Sequence, residues 1–369
     1  MIKTKWEALP PIFAIQVTMK NKLKIVLALA LILLAAVLPA CQKSGQKPEK
    51  FTEYSFDYFD TVTSITGYAE SRDAFDETVG YILDELGEYH RLFNIYFRYE
   101  GMENLRTVNE LSGGAHRTVK VDRKIIDMLL YAKEMYAVTG GQMNIAMGSV
   151  LSVWHEYRTE GLDEPETAKL PPLARLQDAA EHTDIDALVI DEENLTVTLT
   201  DPETTLDVGA VAKGYAVEMI ARGLEARGVS GYVLNVGGNV RTIGKKPDGA
   251  GWTVGIEDPL GDGYIAYLSV AGESVVTSGS YQRYYIVNGK RYHHIIDPET
   301  LMPAEYFVSV SVLTKNSAEG DVLSTALFCM PLDEGLALVE SLSGVEAHWV
   351  LPDGTRRASS GWNGFTVEK

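Results

Sequence analysis

Phe75, Val79, Ile82, Leu86 and Phe93 recur at helical spacing, as do Ile125, Ile126, Leu129, Leu130 and Tyr136, so both stretches predict amphipathic helices against a core. Elsewhere the period changes. "ALVIDEENLTVTLT" has two β-rich runs flanking a polar turn at Asp191 to Asn194 and predicts a hairpin. "RYYIVNGKRYHHIID" predicts another, with Asn288-Gly289 as the signal for a type I′ turn and with His293 and His294 on its second strand. The runs "GYVLNVGG", "WTVGIED" and "YFVSVSVLT" add further strands. Helices alternating with hairpins predict a mixed α/β (α+β) fold with a largely antiparallel sheet flanked by helices.

The composition narrows the class of partner. The 369 residues carry a formal charge of -18, which argues against a nucleic-acid or anionic-membrane surface as partner, because both would repel such a chain. A hydrophobic fraction of 46% is ample for a packed core, and no linker, repeat or low-complexity tract interrupts the chain, so one catalytic unit over 51–369 is expected. At the N-terminus Lys20, Lys22 and Lys24 precede the apolar run Ile25 to Leu38 and "LPAC". A basic region, an apolar run too short to span a bilayer and a small residue before a cysteine predict a secretion signal over 1–40, with Met19 as a possible true start. The small residue before Cys41 resembles a bacterial lipobox, although Pro39 is unusual there. The expectation is a lipid on Cys41, a tether over 41–50 and an extracytoplasmic protein anchored to the bacterial cell membrane; cleavage without lipid is the alternative. Cys329 is the only other cysteine and sits in the apolar helical run "STALFCMP", where a buried inert thiol is expected. A thiolate zinc site is excluded.

Three stretches carry candidate chemistry, and each has a plainer reading. In "LDVGAVAKGYAVE", Asp207 and Gly209 open a run that is helical by Tyr215, and Lys213 adds a positive charge near the helix start. This fits a phosphate-binding loop, and equally an ordinary helix start with a solvated lysine. The paired glycines of "NVGGNV" allow close backbone approach or simply make a turn. In "SAEGDVLSTALF", Asp321 and Thr325 stand four apart, so a helix would put a carboxylate and a hydroxyl on one face for a hard cation such as Mg²⁺. A threonine back-bonding within its own helix is the commoner use of that spacing.

Together with "GGQMNIAMGSVLSVW" and "TSGSYQRYYIVNGKRYHHIIDPET", the stretches "LDVGAVAKGYAVE", "LNVGGNV" and "GDVLSTAL" resemble the ApbE-type FAD:protein FMN transferases. The resemblance covers roughly Phe51 to the C-terminus. It implies a T-fold-like architecture and an Mg²⁺-dependent reaction in which FAD is split at its pyrophosphate, FMN is joined to a Thr or Ser hydroxyl of an acceptor protein, and AMP leaves. A membrane redox subunit is the acceptor to expect.

Carried over by position, the resemblance makes the Ala210 carbonyl and the side chains of Asp321 and Thr325 the metal ligands. Phe59, Tyr96, Gln142, Met143, Asn144, Asp207, Lys213 and Ile295 become FAD contacts, and His294 the general base on the incoming hydroxyl, with His293 pointing away. Three positions depart from the pattern: Asn144 stands where Asp is usual, Leu301 replaces a glycine, and Phe59-Asp60 replaces Met-Gly. Arg283 and Arg291 are further phosphate candidates that sequence leaves unassigned. Two rival functions share these residues: an Mg²⁺-dependent hydrolase taking FAD to FMN and AMP, and an FAD-binding lipoprotein without chemistry.

Overall fold

The computed structural model describes residues 47–112 and 118–368. The signal sequence expected over 1–40 and the lipidated Cys41 lie outside the described residues. Chain order explains the sheet. β1 (Glu49–Ser55) and β2 (Thr63–Ala69) form the first hairpin, and β1 starts two residues before the tether boundary expected from sequence. β6 (Tyr232–Val236) pairs with β2, and β7 (Asn239–Ile243) folds back on β6 across Gly237-Gly238. β10 (Ser274–Gly279), β13 (Ser309–Thr314), β14 (Glu346–Val350) and β15 (Arg356–Ala358) complete an eight-stranded sheet in the order β1-β2-β6-β7-β10-β13-β14-β15, antiparallel at every step.

Three helices cover one face of this sheet: α1 (Arg72–Leu92), α6 (Ala212–Ala226) and α7 (Ser317–Ala326). Ser71 caps α1 and Asn316 caps α7, each side chain accepting first-turn N–H groups. Beneath the helices Ile65, Leu234, Val310 and Val312 join Phe75, Ile82, Leu86 and Val322 in the main core. The opposite face packs Val233, Val275 and Leu313 against the ribbon β8 (Trp252–Glu257) and β9 (Tyr264–Val270). Side chains alternate between faces along a strand, so β13 sends its valines to the helices and Leu313 to the ribbon, and all six of its residues are buried.

The remaining elements surround this frame. They are α2 (Leu105–Ser112), α3 (Arg123–Val138), α8 (Leu332–Ser341) and the small sheet of β3 (Val119–Lys120), β4 (Leu188–Asp191) and β5 (Thr196–Leu199). A second cluster joins α4 (Gly148–Asp163) and α5 (Leu173–Ala180) to the hairpin β11 (Tyr284–Val287) and β12 (Lys290–His293), through Val150, Trp154, Leu176, Tyr285 and Val287. The hairpin turns at Asn288 and Gly289, whose φ values of 51° and 79° are those of a type I′ turn. Two expectations shift at element ends. Strand β12 stops at His293, leaving His294 just beyond it, and α7 stops at Ala326, so buried Cys329 lies past the helix. No helix among the described residues is long and apolar enough to cross a membrane.

Candidate active site

Helices α6 and α7 touch at a glycine. A Cβ on Gly214 would overlap Asp321 Cβ and lie 2.5 Å from the Ser317 carbonyl oxygen, so only glycine permits the approach. This closeness lets Asp321, 5% exposed, accept from Lys213 Nζ at 2.6 Å and from the Gly214 N–H at 2.7 Å. Thr325 donates its hydroxyl to the Asp321 carbonyl oxygen at 3.3 Å. The helix begins at Ala212, earlier than expected, and Lys213 is paired rather than solvated. A buried strut fixes the junction from behind: Glu218 accepts from Arg241 Nε at 3.3 Å and from the Ser317 N–H at 2.9 Å, joining α6, β7 and the start of α7.

The loop before α6 is held through its main chain, by the Asn109 side chain and by backbone bonds. Asn109 donates to the Leu206 carbonyl at 2.9 Å and accepts the Leu206 N–H at 2.8 Å. The Asp207 N–H donates to the Ile145 carbonyl at 2.8 Å, and the Gly148 N–H donates to the Thr205 carbonyl at 3.0 Å. These bonds lay residues 145–148 beside 205–207, with Gln142, Met143 and Asn144 just ahead of them in the chain. Met143 is buried. Gln142 donates to Glu299 at 3.3 Å, while its carbonyl oxygen is buried without a hydrogen-bond partner among the described residues. A buried acceptor of this kind suits a ligand donor. Burial raises the pKa of Asp207, against the opposing pull of the Gly209 N–H.

The two histidines have separate environments. His293 is buried against Phe328, donates Nε2–H to the Ala304 carbonyl at 2.8 Å and accepts the Ile295 N–H on Nδ1 at 3.2 Å, so both ring nitrogens are used. His294 is half-buried, and its Nδ1 lies 3.2 Å from the Arg283 carbonyl oxygen. A carbonyl can only accept, so Nδ1 carries the proton and Nε2 keeps its lone pair. Burial, reinforced by the charges of Arg283 and Arg158, pushes the pKa of His294 down to about 3. Ile295 beside it is buried in the main core.

Tyr96 sits half exposed, its ring 5.4 Å from that of His155 at 34°. His155 Nδ1 lies 3.0 Å from Arg158 Nη2. Arg283 donates to the Asp60 carbonyl at 3.2 Å, and the neighbouring Phe59 donates its N–H to His90 Nδ1 at 3.1 Å. The charges of Asp207, Arg158, Arg283 and Asp60 all act on the Tyr96 hydroxyl, whose pKa burial raises first. Arg158 and Arg283 act on both Tyr96 and His294, and Asp207 and Asp60 on Tyr96, so these charged groups gather around the two rings. His155 and Arg158 are additions that sequence reasoning missed; the only signal was their three-residue spacing after Trp154. Arg291 lies elsewhere, its guanidinium over the Tyr284 ring.

The junction suits a hard cation. Asp321 and Thr325 offer only oxygens, the Ala210 carbonyl in the loop before α6 would add a third, and the Asp321 carboxylate already draws a positive charge. No group of three or more His, Cys, Asp or Glu suited to a metal occurs among the described residues. A single carboxylate with neutral oxygens matches Mg²⁺, which takes few protein ligands and keeps room for phosphate.

A profile of the ApbE family matches residues 59–349. The chain belongs to the ApbE family. It is 32% identical to the FAD:protein FMN transferase of Klebsiella pneumoniae over 272 residues, covering 70% of this chain and 81% of that one. It is 35% identical over 269 residues to the FAD:protein FMN transferase of Treponema pallidum, covering 70% and 73%. The crystal structure of the ApbE protein of Thermotoga maritima superposes with a TM-score of 0.76 at 25% identity, covering 87% of this chain and all of that one. The mixed, largely antiparallel architecture read from sequence is that of the ApbE fold.

The departures from the ApbE pattern have physical consequences. Asp60 and Leu301, at glycine positions, stay in the left-handed region with φ of 49° and 60°, a cost of about 1 kcal/mol for a residue with a Cβ. Leu301 is held there by its N–H on the Asp297 carbonyl at 2.9 Å and by the Trp154 indole donating to its carbonyl at 2.9 Å. Asn144 donates Nδ2–H to the Thr183 carbonyl at 2.8 Å and accepts the Ala146 N–H at 2.9 Å. An aspartate could make only the second bond.

Proposed function

We propose that the chain splits FAD at its pyrophosphate and joins the FMN half to a Thr or Ser hydroxyl of an acceptor protein, with Mg²⁺ bound and AMP as the leaving group. The observation that carries this reading is 32% identity, over most of both chains, to a relative named FAD:protein FMN transferase. The site chemistry supports it. Asp321, Thr325 and the Ala210 carbonyl would hold Mg²⁺, which when bound supplies charge neutralisation at the phosphates. Lys213 stands beside them to bind the same anion. The neutral His294 offers Nε2 to the acceptor hydroxyl and takes its proton as the oxygen bonds to the FMN phosphorus. The bridging bond to AMP breaks, and AMP carries away the electron pair. Gln142, Met143, Asn144 and Asp207, with Phe59, Tyr96 and Ile295, form the flavin-binding set in this reading.

Incubation with FAD, Mg²⁺ and a candidate acceptor tests the proposal: ultraviolet-fluorescent flavin should stay on the denatured acceptor band, and EDTA should abolish it. Fluorescence that washes away on denaturation would refute transfer. The same reading places the enzyme outside the cytoplasm, anchored by a lipid on Cys41, on the strength of Lys20, Lys22, Lys24, the apolar run and the small residue before the cysteine. Labelling by a fatty-acid probe should disappear in Cys41→Ser; unchanged labelling would refute the anchor.

A further inference from the structure

In a chain of charge -18, a guanidinium without a carboxylate keeps its donors free for another anion. Arg72, Arg123, Arg175, Arg222 and Arg241 each lie within 4 Å of one. Arg91, Arg227, Arg291 and Arg357 make no such ion pair among the described residues, two of them lying over tyrosine rings instead, and neither do Arg158 and Arg283. Both nevertheless belong to the region around His294. Arg283 reaches the Asp60 carbonyl, and its own carbonyl receives the His294 ring. Arg158 is held by the fold: the buried face of α4, with Val150, Val153, Trp154 and Tyr157, packs against Tyr285 and Val287 of the hairpin that carries Arg283 and leads into His294. One turn back, His155 Nδ1 stands 3.0 Å from Arg158 Nη2 and anchors one arm of the fork, and the His155 ring lies against Tyr96.

We propose that Arg158 is a substrate-binding residue that grips a phosphate of the flavin dinucleotide together with Arg283, and that His155 is the positioning residue that aims it. The assignment rests on the reading of the chain as an FAD-using enzyme. A part-buried and an exposed guanidinium near His294, neither in an ion pair, leave donors to an incoming anion, and a planar fork suits phosphate oxygens. Burial lowers the pKa of Arg158, and the charge of Arg283 adds to that effect, which is the electrostatic cost a bound anion would offset. Asp207 acts on Arg158 from beyond ion-pair distance. The half-exposed Tyr96 ring against His155 adds an aromatic face, so anion and ring together call for a nucleotide rather than a simple anion.

Calorimetric titration in EDTA tests this without metal or turnover, using FAD, AMP, FMN and riboflavin with wild type, Arg158→Met and Arg158→Lys. Arg158→Met should bind FAD at least tenfold more weakly and lose a similar factor for AMP or FMN, whichever carries the gripped phosphate. Its riboflavin affinity should stay within twofold, and Arg158→Lys should recover part of the loss. FAD affinity within twofold of wild type in Arg158→Met would overturn the assignment. So would an equal loss for riboflavin, which signals a damaged fold. A wild type that binds FAD no better than riboflavin would instead defeat the flavin reading before any variant is made.

Discussion

Lys213 Nζ lies 2.6 Å from Asp321 Oδ1, so the carboxylate expected to bind a metal is already joined to a cation of its own chain. A metal at Asp321 would compete with Lys213 for that oxygen. In EDTA, Lys213→Met should lose about 1–3 kcal/mol of stability, because Asp321 stays buried with only the Gly214 N–H as donor. Added Mg²⁺ should then raise the Tm of Lys213→Met more than that of wild type. A larger gain in wild type would contradict competition at Asp321.

Gly214→Ala forces a methyl group into Asp321 Cβ and the Ser317 carbonyl, both parts of the packed α6–α7 junction. Overpacking of this kind costs about 1–3 kcal/mol, and the strain falls on the residue that would hold the metal. Chemical denaturation should show the loss, and Mg²⁺-dependent FAD cleavage should fall further than stability alone explains. Unchanged stability would mean that the helices do not meet this closely.

Asn144→Asp restores the residue usual in the ApbE family yet should destabilise this chain. The new carboxylate would face the Thr183 carbonyl oxygen that Nδ2–H now serves. Losing that bond and setting two acceptors together should cost about 1–3 kcal/mol. An unchanged denaturation midpoint would show that the Thr183 contact contributes nothing.

Stability should fall in mild acid. His348 of β14 is 8% exposed and stacks on Trp362; burial, with a contribution from the charge of Arg356, pushes its pKa down to about 4. His294 shifts the same way. The unfolded chain therefore takes up protons below about pH 6.5 that the folded chain refuses until near pH 4, so this stabilisation is complete above 6.5 and is lost as the pH falls. His348 alone should cost about 2 kcal/mol at pH 5. Thermal melts at pH 7.5 and 5 should show a smaller drop for His348→Phe, which keeps the stacking, than for wild type; equal drops would exclude His348 as a source.

What the sequence revealed, and what it hid, follows from range. The helical period of Phe75 to Leu86 and the Asn288-Gly289 turn are local, and both were legible. β13 reads as a strand, but burial of Ser309 and Ser311 together with the valines requires layers on both faces of the sheet. Asp321 and Thr325 were legible as a helical pair. The bond from Lys213 to Asp321, 108 positions apart, was not, because it depends on the close approach at Gly214. The phosphate reading of the α6 start likewise overlooked that pairing. Arg158 and His155 were passed over because polar residues beside the apolar face of an amphipathic helix look like a solvent face.

The central claim is transfer, and counting products tests it most directly. Wild type and His294→Ala would each be incubated with FAD, Mg²⁺ and the acceptor while AMP is quantified and the intact mass of the acceptor is followed. Wild type should release one AMP for each acceptor gaining FMN less one water. His294→Ala should bind FAD as tightly and transfer more slowly by about 10² to 10⁴, the range for loss of a general base. AMP and free FMN appearing together while the acceptor mass stays unchanged, or no AMP at all, would contradict it.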